Sequence, residues 1–304
     1  VGPIDPDLMT PTVHYGDPLV EQRTLHQGPA VVDLSHRDVV RITGDDRARL
    51  LHALGTQNLE DIHSGQTSST FLLDPGGRIR ESVALVASEN ALLGWVGRGR
   101  GQVLVEYLNS VKLSLNVEAE VAKDLAVSFS VHPVGDFPQR HGSPTCLSGY
   151  EVFHSREDPL LGTRVGLWAY TARRIAHGIP EIGMDTDPDT TPSDLGMPPE
   201  YVSSVKSCYP GYEAVSGQGE SSQVSRRLVR FHLDGSSEKF VIAEGELSTP
   251  VVRARDPRTT VGFMGSVAYH YQLGPIGLGL VDSSLDMDTE LLVDNTPARI
   301  EYLS

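Results

Sequence analysis

Apolar positions change their period along this chain, and the changes mark its elements. Residues 17–27 have helical spacing that Gly28-Pro29 ends, and Ala30 to Ser35 reads as a short extended run. Val39, Val40 and Ile42 predict a strand. Gly44-Asp45-Asp46 then opens a helix with Leu50, Leu51 and Leu54 on one face, its acidic residues placed at the positive end of the helix dipole. Thr67–Leu73, Ile79–Val86 and Leu92–Val96 predict strands, with a turn at Asp74-Pro75-Gly76-Gly77. Gln102–Val111 has helical spacing through Val103, Tyr107 and Leu108, and Leu113, Leu115, Val117 and Ala119 alternate as a strand should. The order β-α-β-β-(β)-α-β matches a ferredoxin-like unit with one extra hairpin strand.

A second set begins at Leu125. Strands are expected at Ala126–Val131, Glu151–His154 and Arg164–Ala169, and a helix at Ala172–His177. Trp95 and Trp168 read as strand residues that pack a core. Residues 180–225 look irregular, rich in proline and aspartate at first; a loop of that length is functional or mobile. From Arg227 the texture turns to short strands, at Leu228–Leu233, Phe240–Ala243, Val251–Ala254, Val261–Val267, Ile276–Val281 and Leu291–Val293. Short strands without helices suggest a small antiparallel barrel. The expected class is α+β: a first unit over 1–125, a second over 126–225, and a barrel over 226–304.

Charge narrows the partners. A net charge of −15 argues against nucleic acid and against anionic membrane surfaces, which both need clustered Lys and Arg. No run of about 18 apolar residues is present, so no transmembrane helix is expected. Val1-Gly2-Pro3-Ile4-Asp5 lacks the basic-then-apolar pattern of a signal peptide, and Cys146 and Cys208 form no disulfide framework. A reducing cytoplasm is the expected setting. Gly97-Arg98-Gly99-Arg100-Gly101 fails the dinucleotide pattern at Gln102 and reads as a glycine-rich helix entry. Asp185-Thr186-Asp187-Pro188-Asp189 starts like a calcium loop, but Thr190 and Gly196 stand where Gly and a bidentate Glu are needed. No histidine pair has metal spacing, so no metal is expected.

One segment carries chemistry: Lys206-Ser207-Cys208-Tyr209-Pro210-Gly211-Tyr212-Glu213. A cation two residues away raises a thiol's thiolate fraction, and the Tyr-Pro-Gly turn puts Cys208 on a loop. Free cysteine is also among the most buried residue types, so a packing role stays open beside a functional one.

This segment resembles the Lys-x-Cys-Tyr-x-Gly-x-Glu signature of the YgfZ proteins, relatives of the T protein of the glycine cleavage system, an aminomethyltransferase. Further pieces are similar: Val32-Asp33-Leu34-Ser35-His36, Val40-Arg41-Ile42-Thr43-Gly44-Asp45-Asp46, Leu50-Leu51-His52, Thr56-Gln57, Asp74-Pro75-Gly76-Gly77-Arg78, Arg174-Ile175-Ala176-His177-Gly178-Ile179-Pro180, and the run from Arg227 to Gly235. The resemblance implies three domains in a ring, two related to ferredoxin-like folds and one small β-barrel. A folate-type ligand would sit in the central pocket, and the implied role is tetrahydrofolate-linked support of iron–sulfur enzymes.

The sequence departs from that pattern. Ser207 replaces a Gly and Tyr212 a Gln. Ser82, with Glu81 beside it, stands where the T protein has an Asp that assists transfer; a hydroxyl has no negative charge to stabilise a cationic carbon. Ala176 replaces the acid that holds the pterin, and Asp194 stands where the middle loop often carries Glu. The resemblance therefore implies a pocket bordered by Glu81, Ser82, His177, Asp194, Tyr209, Tyr212 and Glu213, with Cys208 reactive and Lys206 favouring its thiolate. Tetrahydrofolate is expected to bind weakly or not at all, and glycine-cleavage aminomethyl transfer is not expected. The alternative is a folate-independent enzyme that reuses the scaffold on another small molecule, as in a biosynthetic pathway. A third is a non-catalytic protein with a protein partner.

Overall fold

A computed structural model describes residues 11–142, 147–158, 162–216, 224–236 and 248–303. Cys146 and the strand expected at Phe240–Ala243 lie outside the described residues. In chain order the elements are α1 (Pro18–Gln27), β1 (Ala30–Asp33), β2 (Asp38–Thr43), α2 (Arg47–Leu54), β3 (Thr67–Leu73), β4 (Ile79–Ala87), β5 (Ala91–Val96), α3 (Gly101–Val111) and β6 (Glu118–Val121). Next come β7 (Leu125–Ser130), β8 (Gln139–Gly142), β9 (Gly149–Ser155), β10 (Thr163–Val165), α4 (Leu167–Ala176) and α5 (Tyr212–Ser216). The last six are β11 (Arg226–Leu233), β12 (Thr249–Arg253), β13 (Asp256–His270), β14 (Gly274–Asp282), β15 (Leu291–Val293) and β16 (Thr296–Tyr302).

The strands form a sheet of order β3-β4-β5-β2-β6, a sheet of order β10-β1-β7-β9-β8, and a closed barrel β11-β14-β13-β12-β15-β16. This is the α+β class with a C-terminal antiparallel barrel that the pattern predicts. In the first sheet, Leu72, Val83, Leu85 and Leu92 meet Leu50, Leu51, Leu104 and Leu108 of α2 and α3. The opposite face carries Phe71, Leu73 and Ile79, and the long loop covers them with Val202, Tyr209 and Val215. In the second sheet, Val32, Val127, Phe129 and Phe153 pack with Leu25 of α1 and Ala169 and Tyr170 of α4.

Several expectations are corrected by contacts between distant residues. Strand β1 pairs antiparallel with β7 and parallel with β10, so it joins the second sheet and not the strands that follow it. The strand expected over Arg164–Ala169 ends at Val165, and α4 starts at Leu167, five residues before the expected Ala172. The amides of Leu167 and Trp168 donate to the carbonyls of Thr12 and Val13, and Gly166 donates to the Glu21 carboxylate at 2.7 Å. These partners stand in for a local cap. Trp168 is thus a helix residue, and it packs on His14 at 4.9 Å. Leu113 is 89% exposed with φ 49°, so β6 starts only at Glu118. Strands β8 and β16 carried no clear sequence signal.

One other reading agrees with the structure. Helix α3 begins at Gly101, whose N–H donates to Asp38 at 2.7 Å, so the glycine-rich run is a helix entry. The three aspartates of the calcium-like run each meet an arginine instead: Asp185 with Arg174, Asp187 with Arg226 and Asp189 with Arg78.

Candidate functional site

The Cys208 loop is held by two motifs that lie far away in sequence. The first is the end of α2 and the Thr56-Gln57 turn. Thr56 Oγ1 donates to the Tyr201 carbonyl at 2.6 Å, and Gln57 Nε2 donates to Pro199 O at 2.9 Å. Lys206 Nζ donates to the carbonyls of His52, of Gly55 at 2.5 Å and of Gln57 at 3.2 Å. These include carbonyls at the end of α2 that have no partner within the helix, where a cation is favourable. Burial still pulls Lys206 down to about 8, and Cys208 opposes that shift.

The second motif is the Asp74–Gly77 turn between β3 and β4. Gly211 has φ +81°, and a Cβ there would lie 2.5 Å from the Asp74 carbonyl oxygen and 3.0 Å from Gly77 Cα. Only glycine permits that approach in that backbone conformation. Gly77 has φ +79° and faces Ala214 and Val215 of α5. Below the loop, Tyr209 is buried, its ring edge-on to Tyr212 at 5.3 Å, and Tyr201 stacks on Phe71 at 4.4 Å. A buried side chain of this size stabilises by about 1.5–3 kcal/mol, and Val202, Tyr209 and Val215 each contribute to holding the segment down. Cys208 itself is exposed. Tyr209, not Cys208, fills the space beneath the loop.

The other expected pocket residues are not all brought to this seat. Ser82 pairs across the strands with Phe71 and shares its face, toward the loop. Glu81 pairs with Leu72 on the opposite face and is bound to Arg100 Nε at 2.9 Å. Burial raises the pKa of Glu81, and Arg100 opposes it. Glu81 thus does not replace the acid missing at Ser82. Asp194 is buried and accepts from Thr191 N at 2.9 Å and from Arg226 Nη2 at 3.1 Å, so it ties the long loop to β11. His177 caps α4 with Nδ1 donating to Arg173 O at 2.8 Å; its edge is open to solvent, and the partial desolvation of its ring lowers its pKa. Tyr212 and Glu213 start α5, and Glu213 is exposed.

A second polar cluster was not anticipated. Arg37 is 2% exposed, its guanidinium 3.9 Å from the Trp95 ring centre and its Nη2 donating to Tyr170 Oη at 3.1 Å. Trp95 Nε1 and Arg140 Nη1 both donate to Glu151, at 2.8 and 3.0 Å, which links the two sheets. Arg174, also buried, donates to Asp185 at 2.5 Å, to Ile179 O at 2.8 Å and to Ser266 Oγ. Ser266 lies in the bulge of β13, where its N–H donates to Asp185 at 2.6 Å. Glu181 stands 4.0 Å from Arg37 and 3.7 Å from Arg174. Burial works to raise the Glu181 carboxyl, but Arg37 and Arg174 outweigh it and hold the group below the usual range. Burial and then Arg37 pull His36 down to about 4. Arg37, Arg174 and Glu181 all adjoin or lie within the segments quoted above, but only their convergence gives them meaning, and no local spacing reports that.

Among the described residues, no group of three or more His, Cys, Asp or Glu side chains is placed to hold a metal ion. No helix among them is long and apolar enough to cross a membrane.

Comparison with known proteins supports the architecture. The glycine cleavage system aminomethyltransferase T from Bartonella henselae superimposes with a TM-score of 0.73, over 93% of this chain and 88% of that one, at 16% identity. The chain therefore has an aminomethyltransferase-like fold. An Arabidopsis thaliana protein named "Putative transferase At1g60990, chloroplastic" is 38% identical over 82 residues, 27% of this chain and 19% of that protein. An aminomethyltransferase of Alcanivorax borkumensis is 22% identical over 222 residues, covering 61% of this chain and 62% of the relative. One of Nitrosococcus oceani is 24% identical over 117 residues, 38% of this chain and 32% of the relative. The chain thus spans less than two thirds of the length of each of these curated relatives. No protein-family model matches it.

Proposed function

We propose that this chain is a YgfZ-like protein with a small-molecule pocket beside an exposed working thiol, Cys208, and a role in maintaining one-carbon or iron–sulfur enzymes. One observation carries this reading: Cys208 is exposed on a loop whose neighbours Lys206, Tyr209 and Gly211 are each fixed by a distant motif. A reactive group held on a rigid seat is what thiol chemistry needs, and a packing residue does not. The test is complementation in a strain that lacks the gene. Cys208→Ser should lose rescue of iron–sulfur enzyme activity while the protein accumulates normally. Full rescue by Cys208→Ser refutes the reading.

A second reading, a folate-independent enzyme on the same scaffold, is favoured by the fate of the acids. Ser82 and Ala176 carry no charge, Glu81 faces away with Arg100, and Asp194 is engaged by Arg226. Losing one charge-assisted hydrogen bond to a ligand costs about 1.5–3 kcal/mol, roughly ten- to a hundred-fold in affinity. Anaerobic calorimetry with tetrahydrofolate separates the two readings. Submicromolar binding excludes the folate-independent enzyme, and no binding excludes tetrahydrofolate as the ligand.

A further inference from the structure

A guanidinium has five N–H donors, and among the described residues Arg37 hydrogen-bonds through only one of its nitrogens. Its Nε and Nη1 are buried without a partner among the described residues, and so is Nε of Arg174. His36 Nδ1, next along the chain, is buried and unpartnered too. The two guanidinium groups share one facing anion, Glu181, and hold it at 4.0 and 3.7 Å, outside good hydrogen-bond reach. Glu181 is anchored by its backbone and not by its carboxylate. Its N–H donates to Asp185 at 2.8 Å, and its carbonyl accepts from Met184 at 3.1 Å and Asp185 at 2.9 Å. The side chain is 29% exposed while both arginine side chains are 2% exposed, so the anion reaches the cations from the solvent side.

We propose that Arg37 and Arg174 form a receptor for a carboxylate, free or at the end of a small molecule, and that Glu181 is a built-in counter-ion which that carboxylate displaces. The chemistry selects the class. Exchanging one carboxylate for another leaves the local charge unchanged, whereas a doubly charged phosphate does not. Trp95 and Tyr170 flank the Arg37 guanidinium, 3.9 and 5.1 Å from it, and leave its N–H edges for a planar, hydrogen-bonding anion. An incoming carboxylate on mobile chemistry can meet the orphaned donors that the tethered Glu181 does not reach. This inference goes beyond the reading above and makes no use of Cys208, so failure of either leaves the other standing.

Calorimetry with sodium acetate, against sodium chloride at matched ionic strength, tests it on the full chain. Glu181→Gln should bind acetate about tenfold or more tightly than the unaltered protein, because the internal competitor is gone. Adding Arg37→Met to that variant should abolish the gain. Equal acetate affinity with and without Glu181, a gain that survives Arg37→Met, or a preference for inorganic phosphate over acetate would each overturn the proposal. Should the variants fail to fold, crystals of the unaltered protein grown from molar acetate and from molar chloride decide. Acetate within about 3.2 Å of Arg37 Nε or Nη1, with Glu181 turned outward, supports the receptor. Glu181 unmoved in both overturns it.

Discussion

Around Cys208, apolar side chains hold a loop in place and the reactive atom is left in solvent; around Arg37 and Arg174, charges are buried between the sheets and donors are left over. Both regions are assembled from segments distant in sequence. They differ in what a substitution removes. At the thiol, a substitution takes away a group that nothing in the fold leans on. At the arginines, it strands a partner in the interior. The difference separates residues that hold the fold from residues that the fold presents.

The sharpest way to break this contrast is Arg174→Met. Asp185 is fully buried and would be left without its cation. Breaking such a pair typically costs about 3–5 kcal/mol. A fall in melting temperature of roughly 10 °C is expected in a thermal melt. A change of a degree or two would mean that the junction of α4, the long loop and β13 is not structural.

Lys206→Met should come next. It removes three bonds to carbonyls at the end of α2 and in the turn that follows it. Hydrogen bonds to a charged group are worth about 1.5–3 kcal/mol, and denaturant unfolding should show a loss in that range. Lys206 is thus an anchor of the loop.

Acid should expose a third effect. His36 and His270 are both pulled down to about 4, first by burial and then by neighbouring cationic groups. Their ordinary value is 6.5. Between those values the unfolded chain takes up protons that the folded chain refuses, so stability falls as pH drops from about 6.5 toward about 4. His36→Gln should flatten part of that slope in denaturant melts across this range. An unchanged slope would show that His36 takes up its proton alike in the folded and unfolded chain.

Much of the fold was legible because its signals are local. The strands β3, β4 and β5 each carry a short apolar run bounded by turns, and the Asp74–Gly77 turn carries its own chemistry. The seat of Cys208 was half legible: the turn residues marked the loop, but its packing on the hairpin and on α2 depends on contacts across more than a hundred residues. The start of α4 was hidden because Thr12, Val13 and Glu21 cap it from afar. The partners of the acids were hidden for the same reason. Asp194 is available by type, yet Arg226 holds it, and Glu81 sits beside Ser82 in sequence but on the other face of its strand.

Cys208→Ser should have the smallest effect on stability, within about 0.5 kcal/mol, because the side chain is exposed. The most direct test of its presented role is native-state alkylation followed by mass spectrometry. At neutral pH, iodoacetamide should label Cys208 completely in the folded protein, faster than Cys146, and leave the melting temperature unchanged. If Cys208 stays unlabelled until the protein is unfolded, it is a packing residue, and the account of this loop as a functional site is wrong.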